Sequence, residues 1–505
     1  MKLKTINKYV NILKESDLFI SSTATPDLEV SFITYNSKEC KPGTLFICKG
    51  ASFKEDYLID AIKRGATSYV SEKEYNVDIP NILVSDIRVA MPKLANLYYD
   101  SPYKKLKLTG ITGTKGKSTT AYYLKSIMDE YMESTNGKES AVISSIDVYD
   151  GVNRYESHIT TPESVELFMH FNNAVNSGIT FLNMEVSSQA LKYNRVDEII
   201  FDCGVFLNIS EDHISDIEHK DFDDYFNSKL RIFKQTRNAF ICANSDNFDQ
   251  IKEASKSSDN VVIFGKEAND DNSPAISEIC DIYGHSIHKT HEGISFMVRT
   301  KDFDEEFLLT MPGLFNVENA LAAIAVSLYY KIPLNIIKEG IKNARSSGRM
   351  ELYESKDKKI VAIVDYAHNK LSFNTLFSST KKEFPDRDII AIFGCPGYKA
   401  LIRRRDLGTI AGKYSKKVYL CAEDPGKEPV DQISSEIAEY VKAQNCPYEM
   451  IEDRGMAIKA AIEEARVSNN KSILLITGKG NETRQKYGNE YLDCPSDVEY
   501  VKIYL

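Results

Sequence analysis

At 505 residues the chain is too long for one ordinary domain, and roughly 100–200 residues per domain implies two to four. Its 42% hydrophobic and 27% charged content is that of soluble globular domains, each able to bury its own core. A formal net charge of -10 excludes the broad basic face of a nucleic-acid binder, while leaving room for a local basic pocket around a phosphorylated substrate.

The opening stretch MKLKTINKYVNILKESDLF predicts a short amphipathic helix, with charges where a signal peptide would need an unbroken apolar core. No apolar run is long enough for a membrane span. Nine cysteines lie scattered without a C-x-x-C pair, which suits reduced thiols in a cytoplasmic enzyme, mostly as small core residues. Residues 1–103 mix short strands (SFITY, GTLFICKG, SYVSE, NILVS) with short helices such as Asp56–Arg64, and Lys41-Pro42-Gly43 breaks two of those strands apart. Residues 104–346 open with the strand KLKLTGI, a glycine-rich turn and the helix TTAYYLKSIMDEYM. Further strands at ITFLNMEV, IIFDCGVFLNI, AFICAN and NVVIF predict a largely parallel sheet covered on both faces. The pattern turns β-rich from Glu278 to Thr310 and returns to helical spacing at FNVENALAAIAVSLYYK. In 347–505, KIVAIVDYA, DIIAIFGC, KVYLCAED, YEMIED and SILLITG alternate with helices, a doubly wound layout whose ligands are expected beyond the carboxyl ends of the strands. The expected fold class is therefore α/β in three domains: a small α/β N-terminal domain, a central phosphate-loop domain on a parallel sheet, and a Rossmann-like C-terminal domain.

Chemistry concentrates first at Gly110-Ile111-Thr112-Gly113-Thr114-Lys115-Gly116-Lys117-Ser118-Thr119, between a strand and a helix. Backbone N–H groups of such a loop face phosphate oxygens, with Gly113, Thr114 and Gly116 forming the cradle. Lys117 is expected to reach the β- and γ-phosphates, and the Ser118 or Thr119 hydroxyl to meet Mg²⁺. Glu185, ending the strand ITFLNMEV, is a carboxylate well placed for the same ion. Asn316 and Asn319 stand at i and i+3 and share one helical face. Arg349 carries a permanent, forked cation suited to oxyanions. Glu423-Asp424-Pro425-Gly426 places two acids before a turn, a pattern that favours a distal ammonium over a distal carboxylate on an amino-acid ligand.

In chain order, T-G-T-K-G-K-S, His158-Ile159-Thr160-Thr161-Pro162-Glu163-Ser164, Met184-Glu185-Val186-Ser187-Ser188, Asn208 to His213, Tyr225 to Lys229, Gly313 to Ala320, Gly348-Arg349-Met350-Glu351, Asp365-Tyr366-Ala367-His368 and Gly478-Lys479-Gly480-Asn481-Glu482 together resemble the Mur ligases. The resemblance spans nearly the whole chain and is closest to the group adding the third stem-peptide residue. It implies an ATP-dependent amide-bond ligase that joins a free amino acid to UDP-N-acetylmuramoyl-L-alanyl-D-glutamate, acting as a monomer. It further implies that Thr160, Thr161, Ser187 and Arg195 hold this substrate, and that His213 is a second magnesium ligand. Lys229 would become carbamylated and orient the metal. Asn316 and Asn319 would border the adenine, Arg349, Asp365 and His368 the ribose and phosphates, and Gly478 and Glu482 the amino acid. Ser37 stands in the uridine element and Lys399 in a polar loop of the C-terminal domain. Three places depart from the family pattern: Asn36-Ser37-Lys38, the loop Gly397 to Arg404 with Leu401 and Ile402, and Asn369-Lys370-Leu371 after the D-Y-A-H element. L-lysine is the expected amino acid. Meso-diaminopimelate, ornithine, a folylpolyglutamate-type reaction and a non-catalytic nucleotide-binding paralogue are the alternatives.

Overall fold

Each branched apolar run becomes a strand, and the intervening periodic segments become the helices that cover it. The computed structural model describes residues 3–50, 53–157, 159–211, 214, 218–267, 276–345, 348–398 and 401–505. His213, Lys399 and His158 lie outside the described residues. The chain forms two compact units, one of Met1–Lys117 with Met128–Phe264, the other of Ser118–Ile127 with Gly265–Leu505.

Besides a short pair of strands, Lys4–Thr5 with Glu29–Val30, the first unit holds two larger sheets among the described residues. Near the N-terminus, helix Ile6–Glu15 buries Ile6, Tyr9 and Leu13, one helical stripe. The five-stranded sheet beside it runs Phe19–Ser22, Asn81–Val84, Ala66–Ser71, Thr44–Ile47, Phe32–Thr34, with only the first pair antiparallel. In the larger sheet, strands Ala141–Ile143, Phe181–Glu185, Lys107–Thr112, Phe201–Phe206, Thr236–Cys242 and Asn260–Lys266 are neighbours in that order and parallel. The register pairs Glu185 with Ile111 and Phe206 with Thr112, so three strands end level at one edge. Buried side chains such as Leu108, Ile111, Met184, Val205 and Ile241 explain why these strands lack polar alternation.

In the second unit, Ile282–Lys289, Ile294–Arg299 and Asp304–Leu309 form antiparallel pairs, the β-rich segment expected from the residue pattern. Helices Asn316–Tyr329 and Leu334–Asn343 follow. The six-stranded sheet runs Glu351–Glu354, Ile360–Asp365, Ser472–Thr477, Asp388–Phe393, Lys417–Leu420, Tyr448–Met450 and is parallel apart from its first pair. Its two faces carry separate apolar cores, one around Phe373, Phe377, Phe393 and Leu407, the other around Tyr419, Ile458, Ile462 and Val501. Two late elements have no counterpart in the sequence expectation: the hairpin Arg484–Tyr487 with Glu490–Asp493, and helix Asp497–Tyr504, started by a capping box of Ser496 and Glu499. All nine cysteines are free and six are buried. Among the described residues no helix is long and apolar enough to cross a membrane.

Candidate active site

The glycine-rich turn leaves strand Lys107–Thr112 and enters helix Lys117–Ser134. Gly113 and Gly116 take φ of 149° and 84°, conformations that exclude ordinary side chains and let the backbone fold over a ligand. The loop is pinned by the segment after the next strand. Lys115 N–H donates to Asn208 Oδ1 at 2.9 Å, Asn208 Nδ2 donates back to Lys115 O at 3.1 Å, and Thr114 N–H donates to Asn208 O at 3.0 Å. Ser210 N–H donates to Thr114 Oγ1 at 3.1 Å, and Tyr225 OH lies 3.1 Å from the same oxygen.

Two ammonium groups converge on one carbonyl of this loop. Lys117 Nζ donates to Gly113 O at 2.9 Å and to Thr114 O at 3.2 Å, and Lys229 Nζ donates to Gly113 O at 2.9 Å. Lys229 is only 1% exposed and lies 4.8 Å from the Tyr225 ring centroid. Paired cations at a turn that opens a helix make an electropositive cradle suited to a polyphosphate. Thr112 Oγ1 and Ser210 Oγ, on either side of the loop, are buried without a hydrogen-bond partner among the described residues, and so suit a polar ligand there.

Glu185 is buried, and its Oε1 accepts from Ser145 N–H at 2.8 Å and from Ser145 Oγ at 3.1 Å. Thr161 Oγ1 donates to the Glu185 carbonyl at 2.9 Å and to Ser187 Oγ at 3.3 Å, and accepts from Ser187 N–H at 3.0 Å. Ser187 Oγ in turn caps helix Ser188–Lys192. Arg195 Nη1 donates to Thr161 O at 3.2 Å, which brings Thr161, Glu185, Ser187 and Arg195 into one network; Thr160 is half-buried beside it in sequence. Among the described residues no three His, Cys, Asp or Glu side chains share a metal-sized point. The donors that fit a hard cation are the Glu185 carboxylate and the hydroxyls of Ser118, which is buried, and Thr119, which is half-buried.

Glu163 forms a hub that sequence reasoning passed over. Lys49 Nζ, Arg195 Nε and Arg88 Nη1 lie 2.6, 3.1 and 3.7 Å from its Oε1. Three cations on one carboxylate leave a surplus of positive charge, and burial pushes the Lys49 pKa down. Lys49 also lies 4.7 Å from the Tyr35 ring centroid, two residues before Ser37, which opens the turn Ser37–Glu39. The sequence signals for this hub were the acid within T-T-P-E-S and Arg195; Lys49 and Arg88 follow no local spacing.

The second unit holds the remaining candidates: Asn316 and Asn319 on helix Asn316–Tyr329, the others near the carboxyl edge of the six-stranded sheet. Asn319 Nδ2 donates to Asn316 Oδ1 at 3.0 Å and both side chains are buried, so the pair does share a face. Asp365 accepts from Met350 N–H at 2.9 Å and from Ala367 N–H at 2.8 Å, next to Arg349, whose guanidinium stacks 4.2 Å from the Tyr366 ring centroid. Tyr366 OH donates to Glu482 at 2.6 Å, and burial and then Glu482 push its pKa far above the usual phenol range. His368 Nδ1 lies 2.8 Å from Tyr366 O. Gly478 N–H donates to Asp365 O at 3.2 Å. Lys479 sits between two acids expected to face the amino acid, 3.0 Å from Asp424 and 2.5 Å from Glu482. Burial works against its charge, yet Glu482 and Asp424 outweigh burial and raise its pKa. Glu423 is buried, and burial pushes its pKa up to about 7 against the pull of Arg454 and Lys479.

Residues 111–327 match the Mur ligase middle domain, and residues 348–480 match the Mur ligase glutamate ligase domain. The chain is 34% identical over 510 residues to UDP-N-acetylmuramyl-tripeptide synthetase of Ligilactobacillus salivarius, covering 98% of each chain. It is 37% identical over 481 residues to UDP-N-acetylmuramoyl-L-alanyl-D-glutamate–L-lysine ligase of Streptococcus pneumoniae, covering 94% of this chain and 92% of that one. A solved UDP-N-acetylmuramoyl-L-alanyl-D-glutamate–2,6-diaminopimelate ligase shares the fold with a TM-score of 0.66 at 20% identity, over 99% of this chain and 98% of that chain. Full-length similarity at this level, with both domains matched in order, makes the chain a member of the Mur ligase family.

Proposed function

We propose that this chain is an ATP-dependent ligase that adds L-lysine to UDP-N-acetylmuramoyl-L-alanyl-D-glutamate in the synthesis of peptidoglycan precursor. The observation that carries the reading is the convergence of Lys117 and Lys229 on Gly113 O, inside a phosphate loop whose neighbouring strand ends in Glu185. The names of relatives at 34% and 37% identity support the substrate pair.

In this reading a carboxylate oxygen of the acceptor attacks the γ-phosphorus of ATP, the bond to ADP breaks, and an acyl phosphate results. The amine nitrogen of lysine then attacks the acyl carbon, inorganic phosphate leaves, and the amine's proton passes to water. Such transfer is governed by positioning and charge neutralisation rather than by a protein nucleophile. Lys117 and the loop N–H groups orient the phosphates, and Arg349 adds a fixed cation. Glu185, Ser118 and His213 would hold Mg²⁺, which when bound would neutralise phosphate charge. Carbamylation of Lys229, which would turn its ammonium into an anionic carbamate and leave Lys117 as the cation of the loop, belongs to the same proposal and is read by intact-protein mass spectrometry. Thr160, Thr161, Ser187 and Arg195 hold the peptide end of the acceptor, while the Lys49–Arg88–Arg195 surplus around Glu163 attracts its diphosphate. Asp424 and Glu482 face the side-chain ammonium of lysine, sharing their charge with Lys479. The functional modules proposed are 1–103 for the UDP substrate, 104–346 for ATP and 347–505 for the amino acid.

Phosphate release with the UDP-linked dipeptide and a panel of amino acids tests this reading. L-lysine is expected to give the highest kcat/KM, and Lys117→Ala is expected to lower kcat by about a hundredfold or more. Preference for meso-diaminopimelate overturns the lysine assignment, and full activity of Lys117→Ala overturns the phosphate loop.

A further inference from the structure

We propose that Glu383 is a positioning residue for the nucleotide, holding in place the turn that presents Asn316 and Asn319. The inference rests on the reading that these two asparagines border the adenine. Glu383 ends helix Lys370–Glu383, which covers one face of the six-stranded sheet through Phe373, Leu376 and Phe377. Its side chain is 6% exposed, so its charge needs partners. Those partners lie about seventy residues upstream: Gly313 N–H donates to Oε2 at 3.1 Å and Leu314 N–H to Oε1 at 3.0 Å. Ser379 Oγ donates to Oε1 at 2.6 Å. An upstream strand reaches the same residue as well, because Lys289 Nζ donates to the Glu383 carbonyl and lies 3.4 Å from the Phe384 ring centroid.

The turn gripped by this carboxylate is a closed unit. Gly313 has φ of 98°, Asn316 N–H donates to Gly313 O at 2.8 Å, and Asn316 Nδ2 donates to Pro312 O at 2.7 Å. Asn319 Nδ2 then donates to Asn316 Oδ1 at 3.0 Å. Phe315, within the turn, packs against the core that contains Phe373 and Phe377. Backbone N–H groups just before a helix are ordinarily satisfied by a side chain of the same segment or by water. Here an acid from a distant helix does so, and a carboxylate on two backbone donors is a charge-assisted, directional contact. The turn that carries Asn316 is thereby tied to the far end of a helix that starts just after Asp365. Glu383 touches no reacting atom in this scheme and acts only through the turn.

The test is steady-state kinetics of the full-length enzyme with each of its three substrates varied in turn. Glu383→Gln keeps the size but aims an NH₂ at one N–H donor, and loses the charge. The KM for ATP is expected to rise about tenfold, the loss of one charge-assisted hydrogen bond, with KM for L-lysine and for the UDP-dipeptide within about twofold. Ser379→Ala, which removes one donor and leaves the carboxylate, is expected to raise KM for ATP by about two- to threefold, and it serves if Glu383→Gln fails to fold. A merely structural role for Glu383 would move all three KM values or none, and either result overturns the proposal. Asn316→Ala separates the layers. If it weakens ATP while Glu383→Gln and Ser379→Ala do not, the positioning role alone is wrong. If Asn316→Ala leaves ATP untouched, the adenine reading fails and takes the proposal with it.

Discussion

Glu423 shows how one buried acid carries a stability signature of its own. It follows strand Lys417–Leu420 and is wedged between two glycines: a Cβ on Gly478 would come 2.2 Å from its Oε2, and one on Gly394 would come 2.9 Å from its Cβ. Burial lifts its pKa from 4.5 to about 7, despite Arg454, which is itself held by Asp497 at 2.6 Å. Because the folded pKa is the higher one, the fold binds the proton more tightly than the unfolded chain does. The stabilisation is complete below about pH 4.5 and is lost as pH rises through 7, for a total of roughly 3 kcal/mol. Glu423→Gln removes that dependence, so the variant should match the parent near pH 4.5 and exceed it in stability at pH 8. Urea midpoints of both proteins at the two pH values check this, and an identical difference at each pH would contradict it. The acid itself was visible in the sequence as E-D-P-G, but its environment was not, since Gly394 and Gly478 reach it from just past strand ends 29 and 55 residues away. Lys229 marks the same limit. Helical spacing says nothing of a lysine that turns inward onto Gly113 O, and only resemblance to a family pointed to it.

Among the elements, the helix that starts at Lys117 is anchored by a close crossing. A Cβ on Gly340, in helix Leu334–Asn343, would lie 2.5 Å from Ile127 Cα and 2.9 Å from Ile127 N, both backbone atoms unable to yield. Ser126 Oγ also donates to Gly340 O at 2.8 Å, so the two helices touch through main chain. In an exposed helix Gly→Ala gains about 1 kcal/mol. Here overpacking costs about 1–3 kcal/mol and forces the helices apart. Gly340→Ala is therefore expected to lower the urea midpoint and to raise KM for ATP, because displacement of this helix carries the Lys117 end with it. A higher midpoint would mean the crossing is loose and the argument wrong. Element identity was largely legible: the apolar runs at KLKLTGI, IIFDCGVFLNI and SILLITG are strands, and the β-rich segment after Glu278 is the antiparallel trio. The hairpin Arg484–Tyr487 with Glu490–Asp493 was not, because neither strand alternates apolar and polar residues. The second strand is exposed throughout, and it is held by pairing rather than by burial.

At the scale of the whole molecule, the path of the chain decides which pieces can stand alone. The second unit takes in Ser118–Ile127 from the middle of the first and then resumes at Gly265. A cut at 265 therefore leaves helix Leu334–Asn343 without the Ile127 backbone against which Gly340 is fitted. Residues 348–505 contain all six strands of the last sheet and nearly all of both its cores, with Phe315 the notable contribution from outside. A piece of about 160 residues buries close to 70% of its unfolded surface, enough for an independent fold. The expectation runs against intuition: the shorter fragment 348–505 should unfold in urea as one cooperative step with native-like near-ultraviolet circular dichroism, whereas the longer fragment 265–505 should bind a hydrophobic dye and melt broadly, having exposed the face that Ser118–Ile127 covers. Supplying a peptide of residues 117–134 in trans should reduce the dye signal of the longer fragment and leave the shorter one unchanged. If 265–505 instead folds as sharply as 348–505 without the peptide, the helix crossing at Gly340 contributes little, and the interlacing of the two units is a matter of chain path rather than of stability.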